Sequence, residues 1–238
     1  GLPRVCGSVD ADASDLLKRY RALGAVDDGS AICSPGALVK PKVRLSAPVA
    51  REAPFEWLLE WPQLEPLLTR LLDGVDPSTA SAVDLGCGTS HLARNLAADV
   101  GFGRVVGVDR DPRHGAVHDW AAGGAAPGAP YDVAFDKSSL DATLAEGGAA
   151  GLLTCAFRSL AAGGRYVVCS LYPPDFVEAL AAPLFAPAGR ESVARGAAPP
   201  VAVLCLRKRE CRDADDAAMA AHCRGVQDAF FGAARPLL

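Results

Sequence analysis

The sequence predicts an α/β protein, a mostly parallel sheet covered by helices, and three observations carry that prediction. An apolar stretch, 80–85, runs into a glycine-rich turn, Gly86-Cys87-Gly88, from which a helix opens. A second apolar stretch, 104–109, ends in Asp109, 25 positions after Asp84. Extended and helical patterns then alternate, with strands expected at 131–135, 165–171 and 201–207.

In chain order, Leu16, Leu17, Tyr20 and Leu23 recur at helical spacing over 14–23. Residues 24–54 are rich in Pro, Gly and Ser and read as an irregular arm, so 1–54 forms an N-terminal region. Residues 55–238 form the main domain, with a core at 80–210 and a C-terminal helix at 212–234. Residues 55–72 give one or two helices, interrupted or started by Pro62 and Pro66. The helix from Ser90 sets Leu92, Leu96 and Val100 on one face and stops at Gly101. A helix at 149–161 is expected to end at Gly163-Gly164, and another runs over 214–231. The run 121–130 is low in pattern and reads as a loop.

The chain has 238 residues, half of them apolar, enough for one α/β domain with extensions. A net charge of −4 disfavours broad nucleic-acid binding. No apolar run is long enough to span a bilayer, so no membrane partner is expected. The eight cysteines include no Cys-x-x-Cys pair and fit no zinc spacing, which points to reduced thiols, no metal and a cytoplasmic setting. The chain opens without a methionine, so an upstream organelle-targeting segment is not excluded.

The chemistry gathers at the strand ends. Glycines at 86 and 88 let a ligand approach the backbone, and the helix start offers free N–H groups to a polar or anionic group. A dinucleotide turn needs a third glycine where this chain has His91, which leaves a dehydrogenase as a distant alternative. Asp84 has no role in pyrophosphate binding but suits a cofactor with a free ammonium, as S-adenosylmethionine has. Asp109 has the spacing of a ribose-binding carboxylate. The expected cofactor contacts are Asp84, Leu85, Gly86, Cys87, Gly88, Asp109 and Arg110, with Asp119 and Trp120 on the adenine side and Asp136 at the next strand edge.

The segment 83–90 resembles the first motif, acid-x-Gly-x-Gly-x, of the class I S-adenosylmethionine-dependent methyltransferases. Residues 131–141 lack the Asn/Asp-Pro-Pro-aromatic motif of many members. They resemble instead the Asp-Lys-Gly-Thr-Leu-Asp-Ala motif of a branch that methylates lysines or the N-terminus of translation elongation factor 1-alpha. Asp136, Lys137, Leu140, Asp141 and Ala142 match, and Ser138 and Ser139 replace Gly-Thr. Phe55-Glu56-Trp57, with Leu64, Pro66, Leu67 and Leu68, resembles the branch's helix before the first strand. The resemblance covers about residues 55–171. It implies a Rossmann-like methyltransferase sheet and methyl transfer to a protein amine, an elongation factor being the first candidate. Asp136 is then the candidate catalytic residue, and Lys137, Leu140, Asp141 and Trp57 lie on the substrate side. Lys137 is expected to point outward or to pair with Asp141. Only 22 residues separate Asp109 from Asp132, where the family fits a helix and a third strand. This shortening keeps two alternatives open, a catalytically impaired binding module and a small-molecule methyltransferase.

Overall fold

A computed structural model describes residues 54–196, 198–210 and 213–232. The expected helix at 14–23 and the arm up to residue 53 lie outside them. In order, the elements are α1 (Trp61–Leu71), β1 (Ser81–Leu85), α2 (Leu92–Asn95, continued by a π turn at Leu96–Val100), β2 (Arg104–Asp109) and β3 (Ala116–Val117). After a 3-10 turn at Trp120–Ala122 come β4 (Tyr131–Lys137), α3 (Ser139–Glu146), α4 (Ala149–Ser159) and β5 (Leu160–Ser170). The chain closes with α5 (Pro174–Ala181), β6 (Phe185–Arg195), β7 (Ala198–Lys208) and α6 (Asp216–Phe231).

The seven strands form one sheet in the order β3-β2-β1-β4-β5-β7-β6. β1 to β5 run parallel, and β7 is antiparallel to both β5 and β6. This is a Rossmann-like, mostly parallel sheet with helices on both faces, as the sequence predicts. Side chains alternate between its two faces. Val83, Leu85, Ala134, Tyr166 and Val168 point into a core with α3 to α6. Ala82, Val133, Phe135, Val167 and Cys169 point into a second core with α1 and α2. Parallel order brings the carboxyl ends of β1, β2 and β4 to one edge, where the loops leave room for a ligand.

Several boundaries differ from expectation. Helix α4 ends at Ser159, before the Gly163-Gly164 pair, because Leu160 already turns extended and pairs with Tyr131. The glycines sit in a bulge of β5, with Gly163 at φ +72°. Residues 55–60 are not helical, and α1 begins at Trp61 with Pro62 in its first turn. No local signal in the sequence marks α3, α5 or β6. β6 is a mostly exposed edge strand containing Pro187 and Gly189, and a solvated edge needs no apolar run. The third strand is indeed short: two residues, outside β2.

Candidate active site

A cleft of about 600 Å³ opens at that edge. Its floor is the glycine turn after β1. Gly86 and Gly88 have φ of +78° and +51°, a region that side chains rarely enter. The reason for glycine at 86 differs from the sequence argument. A Cβ there would lie 2.1 Å from the Ser139 Oγ, so the position serves the protein's own packing as well as any ligand. Ser139 ties two strand ends together, its hydroxyl donating to the Leu85 carbonyl (2.7 Å) and its N–H to Asp136 (2.7 Å). Leu85 and Leu140 are fully buried in the core and do not line the cleft.

Asp84 lines the cleft, is 1 % exposed, and its Oδ2 has no hydrogen-bond partner. Burial pushes its carboxyl up to about 7, against the favourable field of Lys137. Trp120 also lines the cleft, and its indole Nε1 is likewise buried without a partner. Buried polar atoms are normally satisfied, so an unpaired acceptor and an unpaired donor in one cleft point to a bound molecule. Cys87 borders the cleft with its thiol pushed up to about 12 by burial, which keeps it protonated and unreactive.

Asp109 stands at the end of β2 on the cleft wall, as expected. Its Oδ2 accepts from the Gly88 N–H (2.8 Å) and its Oδ1 from the Asp111 N–H (2.8 Å), which fixes the carboxylate against the glycine turn. Arg110 lies over the Trp120 ring and reaches Glu146 of α3 (3.3 Å). Asp119 does not join them. It is exposed and caps the 3-10 turn, accepting from the Ala121 N–H (3.1 Å), because three residues of helix need an N-cap there.

The β4 end corrects the sequence reading most. Asp136 is 1 % exposed but does not line the cleft. It accepts from the Ser139 and Leu140 N–H groups and from the Tyr166 hydroxyl (2.6 Å), capping α3 from inside the fold. It is therefore neither a catalytic nor a cofactor-binding candidate, although burial pushes it up to about 7 as well. Asp141 is fully buried and accepts from the Ser170 hydroxyl and the Leu171 N–H (3.0 Å), holding the chain as it leaves β5. Lys137 consequently pairs not with Asp141 but with Glu56, and it lines the cleft. Trp57 lines the same end.

Among the contributors that the sequence did not mark are Glu56, Ser90, Ser139 and Glu146. Glu56 accepts from the Ser90 hydroxyl (2.8 Å) and the His91 N–H (2.7 Å), so these donors at the helix start are not free, contrary to expectation. Its place in Phe55-Glu56-Trp57 was the one available signal.

No protein-family model and no curated protein matches the chain. Solved structures do. The N-methyltransferase NodS from Bradyrhizobium japonicum, in complex with S-adenosylhomocysteine, is 16 % identical over 63 % of this chain and 87 % of its own, with a TM-score of 0.49. A TehB-like methyltransferase from Corynebacterium glutamicum is 21 % identical over 63 % of this chain and 94 % of its own (TM-score 0.46). The magnesium protoporphyrin IX methyltransferase ChlM from Synechocystis is 16 % identical over 62 % and 79 % (TM-score 0.45). At these identities the likeness is one of fold. Among the described residues, no helix is long and apolar enough to cross a membrane.

Proposed function

We propose that the chain is an S-adenosylmethionine-dependent methyltransferase. The observation that carries the reading is the buried, unpartnered Oδ2 of Asp84 in a cleft built from three strand ends. A carboxylate so placed suits an ammonium, which restores the charged form that burial disfavours. Asp109 retains lone pairs for ribose hydroxyls beyond the two N–H groups it accepts. Trp120, with Ala142 and Ala145 lining the same cleft, offers a flat apolar wall, and its Nε1 offers one donor to a nucleoside acceptor. When bound, S-adenosylmethionine supplies a methyl group on a sulfonium with a good leaving group. The chain's task is then to bind, to exclude water and to align an acceptor.

The acceptor in this reading is an amine on a protein, with an elongation factor as first candidate. Its support is the loop resemblance at 136–142 and the aromatic wall that Trp57 gives the cleft. A second reading, a cofactor-binding module without turnover, is favoured by one observation: Asp119, the acid expected on the adenine side, caps its own turn and does not line the cleft. The test is incubation of the purified chain with methyl-tritiated S-adenosylmethionine and a cell lysate, followed by protease, nuclease and solvent fractionation. Label released by protease is expected. Label confined to nucleic acid or small metabolites defeats the protein-amine reading, and absence of transfer despite measured cofactor binding favours the module.

A further inference from the structure

The Glu56 carboxylate is seated as a bound ligand would be. Three donors converge on it: the Lys137 ammonium at the end of β4, the Ser90 hydroxyl and the His91 N–H. Ser90 and Lys137 are themselves walls of the cleft. Asp84 is their neighbour. Ala82 and Asp84 share a sheet face with Val133, Phe135 and Lys137, and Asp84 pairs in register with Phe135, two residues before Lys137. After burial, Lys137 and Glu56 act most strongly on the Asp84 carboxyl. One corner of the cleft thus holds an unpaired carboxylate beside a filled carboxylate cradle. An α-amino acid, with ammonium and carboxylate on a single carbon, matches that pair of subsites.

We propose that Glu56 is an internal latch: it fills a carboxylate cradle made by Lys137, Ser90 and the His91 backbone, and the amino-acid end of the cofactor displaces it on binding. The inference rests on the S-adenosylmethionine reading and adds a self-occupied state to it. The segment that carries Glu56 contains a strained turn. Leu58, two residues on, has φ +64°, a backbone conformation that a leucine holds only when its surroundings impose it. A Leu59 N–H to Trp57 carbonyl bond (2.7 Å) and the buried Leu59 side chain anchor the far side of that turn, so release of Glu56 leaves it as the pivot on which Trp57, a wall of the cleft, moves. Cofactor entry and opening of the acceptor side then become one event.

The latch makes an expectation of unusual sign, since removing a residue beside the cleft improves binding. Calorimetric titration compares S-adenosylhomocysteine with 5′-methylthioadenosine, which lacks the amino-acid end. Glu56→Ala is expected to bind S-adenosylhomocysteine about 10-fold tighter than the parent, the scale of one charge-assisted hydrogen bond. Affinity for 5′-methylthioadenosine is expected to stay within about 2-fold, because that ligand does not compete with Glu56. Lys137→Met added to Glu56→Ala is expected to cancel the gain for S-adenosylhomocysteine alone. Glu56→Gln, which keeps the shape and loses the charge, repeats the test if the alanine variant does not fold. A parent that binds both ligands, with Glu56 variants that bind S-adenosylhomocysteine no tighter, overturns the latch and leaves the methyltransferase reading standing. A parent that binds neither ligand overturns both.

Discussion

Asp84 at the end of β1 and Asp136 at the end of β4 have the same burial, 1 % exposed each, and both carboxyls are pushed up to about 7, by desolvation first. They differ in satisfaction. Asp136 accepts from two backbone N–H groups and a tyrosine hydroxyl, so the fold has used it completely. Asp84 lines the cleft, and its buried Oδ2 has no hydrogen-bond partner. Neither burial nor a shifted titration marks a functional acid here. The missing partner at a residue that lines the cleft does, because a buried polar atom without one costs stability that a bound ligand can return.

Four experiments sharpen or break that contrast. The largest effect is expected from Asp136→Ala, which leaves buried N–H groups and the Tyr166 hydroxyl unsatisfied and should cost about 4 kcal/mol in denaturant unfolding. A change under about 1 kcal/mol would mean that Asp136 is not a structural cap. Next is the joint between the two strand ends. Gly86→Ala places a Cβ 2.1 Å from the Ser139 Oγ at a positive φ. It should cost about 3 kcal/mol, combining left-handed strain with overpacking. Adding Ser139→Gly should recover part of that loss. If it recovers none, the clash is not the cause.

The third test uses pH. Asp84 and Asp136 are raised to about 7 and Asp141 to about 6, each by burial. Between the ordinary aspartate range and those values the folded chain binds more protons than the unfolded one, so stability falls as pH rises. The ligand-free protein should therefore melt lower at about pH 8 than at about pH 5. Saturating S-adenosylhomocysteine should return the Asp84 share of that loss, because an ammonium favours the ionised form. Equal melting temperatures at the two pH values would contradict the burial assignments. The smallest effect concerns Ser138, which holds φ +79° where the resembling motif has glycine. Ser138→Gly should stabilise by up to about 1 kcal/mol, seen as a rise of about 2–4 °C in Tm. Destabilisation would show that the serine side chain makes a contact worth more than the strain.

The same contrast explains how far the sequence could be read. The glycine turn, Asp84, Asp109 and the short third strand were legible because their signals are local: an apolar run, an acid, glycines, a spacing. Trp120 was legible as the large aromatic that directly precedes the low-pattern run 121–130, although its neighbour Asp119 turned to capping. The 136–141 loop was misread in its roles because adjacent letters there point to opposite faces. Asp136 faces the core that holds Tyr166, Lys137 faces Glu56 across the sheet, and Asp141 reaches the far end of β5. Which acid is consumed by the fold depends in part on donors 29 to 81 positions away, Ser170 for Asp141, Tyr166 for Asp136 and Lys137 for Glu56, beyond any local window.

The most direct test of the central claim is a titration of S-adenosylhomocysteine into the parent and into Asp84→Asn, with a melting curve for each. The parent is expected to bind and Asp84→Asn to lose roughly 10-fold to 100-fold in affinity, the range of a lost hydrogen bond to a charged group. The variant should melt no lower than the parent above about pH 7, since it removes a buried charge that no protein group satisfies. Undiminished binding by Asp84→Asn, or a parent that does not bind at all, would contradict it.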